Sequence, residues 1–155
     1  MYQRILVPVD GSATAEAGLS EAIRLGRLTG ATLHLIHVLD LVPYAGGYGL
    51  IDMYFNDRTP FLREGGHKVL HDSQARAQAA GLPTEVRLIE VFGGRVSDAI
   101  LDDARSCGAE LIVIGTHGRR GIGRMVLGSD AEQVLRQAPV PVLLVRGLPD
   151  EATGS

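Results

Sequence analysis

Residues 109–132 read AELIVIGTHGRRGIGRMVLGSDAE, and this stretch decides the fold. An apolar run, Leu111–Ile114, passes into a segment holding five glycines between Gly115 and Ser129, and a helix-forming pattern follows at once. A run that is apolar at every position suits a strand covered on both faces. Such a strand, feeding a glycine-rich loop and then a helix, is part of a parallel βαβ arrangement.

The same alternation repeats outward from there. Short runs rich in β-branched residues occur at Ile5–Val9, Leu33–Leu39, Val86–Val91 and Val142–Val145, and each but the last precedes a helix-period stretch. One βαβ unit takes about 30 residues. The 155 residues therefore hold five strands in one domain, 1–147, followed by a flexible tail, 148–155.

The helices carry recognisable ends. Ser12 caps the first, with Ala15, Gly18, Leu19, Ala22, Ile23 and Gly26 facing inward and Gly30 at its end. The second runs over Phe61–Ala80 and stops at Gly81-Leu82-Pro83. The third spans Arg95–Cys107, with Val96, Ala99, Ile100, Ala104 and Cys107 inward. The fourth opens at Ser129-Asp130-Ala131-Glu132, a capping box with Ser129 as the cap. It buries Ala131, Val134, Leu135 and Ala138 before Pro139 ends it.

The expected architecture is α/β: an open five-stranded parallel sheet in a Rossmann-like three-layer sandwich. Ile5–Val9 and Leu111–Ile114 are central, the alternating Glu85-Val86-Arg87-Leu88 is an edge, and Pro139-Val140-Pro141 introduces the other edge. With right-handed crossovers the simplest strand order is 3-2-1-4-5. Ligands of open α/β sheets bind beyond the strand C-termini where the winding reverses, here between strands 1 and 4. Pro8-Val9-Asp10-Gly11 and Gly115-Thr116-His117-Gly118 line that crevice.

The loop chemistry favours an anion. Glycines let backbone N–H groups approach a ligand, and the fourth helix begins at Gly128-Ser129 with free amides. His117, Arg119, Arg120 and Arg124 add local positive character, so a di- or triphosphate fits. The arginines have a second reading, as simply solvated side chains. The only lysine is Lys68, which excludes a Walker A loop, and Asp10-Gly11-Ser12 stands where a G-x-G-x-x-G fingerprint would begin. Asp10 has two readings, as a ligand contact or as a local turn and cap.

These residues resemble the universal stress proteins. Their nucleotide-binding members carry G-x2-G-x9-G-[ST] after the fourth strand, matched by Gly115, Gly118, Gly128 and Ser129. The resemblance extends to the opening ILVPVDGS, to HVLD at His37–Asp40, to AELIVIGTHG at Ala109–Gly118 and to the closing PVPVLLVR at Pro139–Arg146. It implies ATP binding, with adenine near Pro8, Val9, Asp10 and the backbone of Val38. The phosphates would lie on Gly115, Gly118, Gly128 and Ser129, with Thr116, Arg119 and Asp130 beside them and Mg²⁺ or Mn²⁺ held mainly by the phosphates. It also implies a homodimer through Val142–Val145, an apolar edge that is a liability unless covered.

Other function classes fit less well. A net charge of −3 and a pI near 5.9 argue against nucleic acid. No apolar run approaches the roughly 18 residues of a membrane span, and MYQRILVPVDGS lacks the pattern of a secretory signal, so a cytoplasmic location is expected. Cys107, the only cysteine, excludes an intrachain disulfide and, on this reading, a thiolate zinc site; it is expected as a buried thiol. His67 and His71 lack a third metal ligand, and His34 and His37 lie on opposite faces of strand 2. Leu41–Pro60, rich in tyrosine and glycine, reads either as a cover over the adenine end or as aromatic packing on the second helix or a dimer partner. No activated nucleophile or acid–base pair stands out, so the expected function is a stress-response ATP-binding module with little or no catalysis. The alternative is a nucleotide-free dimeric interaction protein of the same fold.

Overall fold

The computed structural model describes residues 1–41, 59–116 and 127–147. In chain order the elements are β1 (Arg4–Pro8), α1 (Ala13–Thr29), β2 (Thr32–Asp40), α2 (Thr59–Ala79), β3 (Thr84–Val91), α3 (Val96–Cys107), β4 (Leu111–Gly115), α4 (Ser129–Gln137) and β5 (Val142–Val145). All four strand pairings are parallel and the order is β3-β2-β1-β4-β5, which places the apolar β1 and β4 inside the sheet.

Side-chain alternation sends neighbouring strand residues to opposite faces. Ile5, Val7, Leu33, Leu35, Leu111 and Val113 pack with Leu19 and Ala22 of α1 and Leu70 and Ala77 of α2. Leu6, Ile36, Ile112 and Ile114 pack with Ile100, Leu101 and Ala104 of α3 and Ala131 and Val134 of α4. Two apolar layers therefore sandwich one sheet.

The ends of α1 follow sequence chemistry. The Ser12 hydroxyl accepts the Ala15 N–H at 3.2 Å, and Gly30 at φ +74° returns its N–H to the Gly26 carbonyl. Ile23 is only partly buried against the core its helix covers.

Several expectations need correction. The fourth helix is not capped by Ser129: Gly128 holds the extended cap conformation and no side chain caps it. Leu135 is exposed, and Ala138 is partly buried beyond the helix end. In α3 the buried set is Ser97, Ile100, Leu101, Asp103 and Ala104, while Val96 and Cys107 are partly buried and Ala99 is half-exposed. Thr59 and Pro60 belong to α2, where proline is tolerated in the first turn, so the preceding segment is shorter than Leu41–Pro60. The two readings of that segment concern residues 42–58, which lie outside the described residues, as does the expected tail.

Candidate functional site

The C-terminal ends of β1 and β4 stand at the reversal of winding, with β1 paired to β2 on one side and β4 on the other. Pairing continues past β1, because the Val9 N–H donates to the Ile36 carbonyl at 2.8 Å. The His37 Nδ1–H then donates to the Val9 carbonyl at 2.7 Å. Val9 itself is 2% exposed and its side chain belongs to the core, so only its backbone faces the crevice. His37 is a positioning residue that sequence reading missed. Its signal was the register, which puts Ile36 opposite Pro8 and so residue 37 beside residue 9.

The chain turns immediately after Val9. Asp10 Oδ1 accepts the Ser12 N–H at 2.8 Å, and Gly11 lies at φ +80°. Asp10 thus makes the local turn that was one of its two readings.

From β4, the Thr116 N–H donates to the Val145 carbonyl at 3.0 Å, extending the β4–β5 ladder by one residue. The Thr116 carbonyl accepts the Gly128 N–H at 2.6 Å. This bond pinches the glycine-rich segment at its base and delivers the chain into α4. The Gly128 carbonyl accepts from Glu132, so the amides of Ser129, Asp130 and Ala131 are left without a helical partner. Amides in that position suit an anion. His117, Gly118, Arg119, Arg120 and Arg124 lie outside the described residues.

Gly115 has a packing role. A Cβ there would stand 2.6 Å from the Thr14 carbonyl oxygen and 3.1 Å from the Ala15 nitrogen. The end of β4 and the first turn of α1 can meet only because residue 115 has no side chain.

Asp130 lies where two helices begin. It sits in the first turn of α4, and its carboxylate accepts the backbone N–H of Ser97 at the start of α3. Desolvation raises its pKa above the usual carboxylate value and nearby Asp40 adds to this, while the Ser97 N–H opposes both. A carboxyl whose folded pKa is raised costs stability where it is ionised. That cost is absent below the unfolded pKa, grows as pH rises through the folded pKa, and is full at neutral pH. Asp130→Asn keeps an oxygen for the Ser97 amide and removes the charge. At pH 7 it should melt no lower than the parent, and its melting temperature should fall less as pH is raised from about 4 to 7. Asp130 is solvent-exposed, so the gain is a few tenths of a kcal/mol at most, about the scale of exposed ionic interactions.

The structure thus brings Pro8, Asp10, Thr116, Gly128, Ser129 and Asp130 to the C-terminal side of the sheet, where Asp40 ends β2. Val38 is half-buried against the apolar layer that α3 and α4 form on this face of the sheet. Among the described residues, His67 and His71 are exposed on α2 and belong to no three-ligand cluster.

Comparison with known proteins agrees with this geometry. A profile described as the universal stress protein family matches residues 1–146. A universal stress protein from Thermus aquaticus is 35% identical, the match covering 94% of this chain and 100% of that one. A crystal structure of a family protein from Burkholderia pseudomallei has a TM-score of 0.73 at 36% identity, covering 96% of both chains. A universal stress protein from Archaeoglobus fulgidus, solved in complex with dAMP, has a TM-score of 0.64 at 26% identity and covers 93% of this chain and 98% of its own. Among the described residues no helix is long and apolar enough to cross a membrane. On its sequence and on its fold alike, the chain belongs to the universal stress protein family.

Proposed function

We propose that this protein binds ATP in the β1/β4 crevice and acts as a nucleotide-dependent module of the stress response, with little or no catalysis. One observation supports the reading: the Thr116–Gly128 bond sets the first turn of α4, whose leading amides have no helical partner, beside the C-terminal end of β4. The dAMP complex of the Archaeoglobus fulgidus relative supports an adenine nucleotide as occupant. In this reading Pro8, the Val9 backbone, Asp10 and the Val38 backbone border the adenosine half, while Gly115, Gly118, Gly128 and Ser129 take the phosphates with Thr116, Arg119 and Asp130 beside them.

The donor set also fits a divalent cation carried by the phosphates. Asp130 and Asp40 place carboxylates beside the proposed polyphosphate position, where Mg²⁺ or Mn²⁺ would relieve their repulsion. The cation supplies charge neutralisation. The chain's own groups supply main-chain donors. The proposed setting is cytoplasmic, with two copies joined along β5, whose residues are all half-buried in the single chain.

Titration calorimetry with Mg·ATP tests the phosphate assignment. Gly118→Val and Gly128→Val each put bulk where a phosphate would lie and should weaken binding at least tenfold, about 1.4 kcal/mol. Undiminished binding in both variants would overturn it.

A further inference from the structure

A second cluster of reactive side chains lies on the α3 face of the sheet, towards the start of β2 and the end of α3. It is therefore at the far end of these elements from the crevice. His34, on β2, is 7% exposed and Asp103, on α3, is 3% exposed. With the half-buried Cys107 they offer one nitrogen, one oxygen and one sulfur, all within 4.8 Å of one another. We infer that His34, Asp103 and Cys107 form a binding site for a transition-metal dication of the zinc class.

The surroundings are arranged as a metal centre requires. His34 Nε2 lies 2.8 Å from Asp103 Oδ2, and Nδ1 lies 3.3 Å from Glu85 Oε2. Nε2 is then the ligand atom, while Nδ1–H donates to the Glu85 carboxylate, the outer partner that fixes a ligating imidazole. The Arg87 guanidinium donates to Asp103 Oδ1 at 2.6 Å, leaving Oδ2 for the ion. Arg4, from β1, donates to the Cys107 carbonyl at 2.9 Å and pairs with Glu85 at 3.3 Å. These contacts fix the segments on which the three ligands stand.

Distances and charge are compatible with tetrahedral zinc. Zn–N and Zn–O bonds near 2.0–2.2 Å and a Zn–S bond near 2.3 Å place ligand atoms about 3.3–3.6 Å apart. The Nε2···Oδ2 pair must open by roughly half an ångström and the sulfur must close by no more than about 1.5 Å. The Cys107 thiol makes a 3.8 Å contact to the Ala104 carbonyl, and its sulfur accepts the backbone N–H of Ala109. Burial and the Asp103 carboxylate push its pKa up, which keeps the metal-free thiol protonated. On binding, the thiol proton leaves to solvent and the imidazole N–H moves from Nε2 to Nδ1. One thiolate and one carboxylate then balance a dication. An open groove of about 330 Å³ between β3 and α3, lined by Arg87, Asp103 and Ser106 among others, gives access to the Asp103 carboxylate. A lone cysteine thus suffices for a thiolate-bound ion once a histidine and a carboxylate complete the set.

The test is a Co²⁺ titration of the chelator-treated full-length protein, read as thiolate-to-cobalt charge-transfer absorption. Because Cys107 is the only thiol, that band reports this site alone. The expected result is a band saturating at one equivalent, bleached by Zn²⁺ and lost in Cys107→Ser. Glu85→Gln leaves the three ligands in place and should weaken Co²⁺ binding about 10- to 100-fold. No band in the parent protein at a tenfold excess of Co²⁺, or a band that survives in Cys107→Ser, would overturn the site and leave an ion-paired clasp only.

Discussion

Gly115→Ala should destabilise the protein by about 3 kcal/mol, the upper range for forcing extra atoms into a packed interior. For a chain of this length that lowers the melting temperature by roughly 6–12 °C. The added Cβ would lie 2.6 Å from the Thr14 carbonyl oxygen and 2.7 Å from its carbon, both backbone atoms with no rotamer to change. Nor can α1 swing aside. A Cβ at Gly18 would meet the Gly115 nitrogen at 3.4 Å, and Leu19 and Ala22 lie fully buried further along the same face. Gly30→Ala is the matched control. It sits at φ +74° with open space around it and should cost only about 1 kcal/mol, from conformation alone. Thermal melts of the two variants decide the matter: equal losses would mean that the β4–α1 approach does not constrain residue 115.

Asp103→Ala should cost about 2–4 kcal/mol, because it leaves a buried ring nitrogen without its partner. Urea unfolding in the presence of a chelator measures this without any contribution from bound metal. His34 is 7% exposed and loses the acceptor at Nε2. Arg87→Ala should cost only about 1 kcal/mol, since that side chain is mostly solvated even when paired and the Asp103 oxygen it leaves opens on the groove. The asymmetry is the prediction. Equal losses would mean that the Arg87 pair, and not the imidazole contact, carries the clasp.

The sheet was legible in the sequence because the runs Ile5–Val9 and Leu111–Ile114 are apolar throughout and the β3 edge alternates. With right-handed crossovers, β3-β2-β1-β4-β5 is the simplest order that fits both facts. The start of α4 was misread by one residue. Ser-x-x-Glu is a sound local signal, but the bond from the Gly128 amide to the Thr116 carbonyl turns the chain one position earlier and makes glycine the cap. Leu135 fits a helical stripe by spacing, yet α4 is nine residues long and buries only Ala131 and Val134. The spacing of the glycine motif was visible, but the reason Gly115 carries no side chain was not, since Thr14 lies 101 residues earlier in the chain. Asp103 was hidden for the same reason. It looks like a solvated helix residue until His34, 69 positions away, is brought against it.

The adjacency of β1 and β4 also bears on how the chain emerges during synthesis. Leu6 and Ile36 are fully buried, but the layer that covers them comes from α3 and α4, all of it beyond residue 95. A nascent chain ending near that point has β1, β2 and β3 complete with one face clothed by α1 and α2 and the other bare. At about 5–20 residues per second the remaining 60 or so residues take roughly 3–12 s to appear. A half-clad sheet exposed for seconds is a target for chaperones, and a rare-codon pause between α3 and β4 would prolong its exposure.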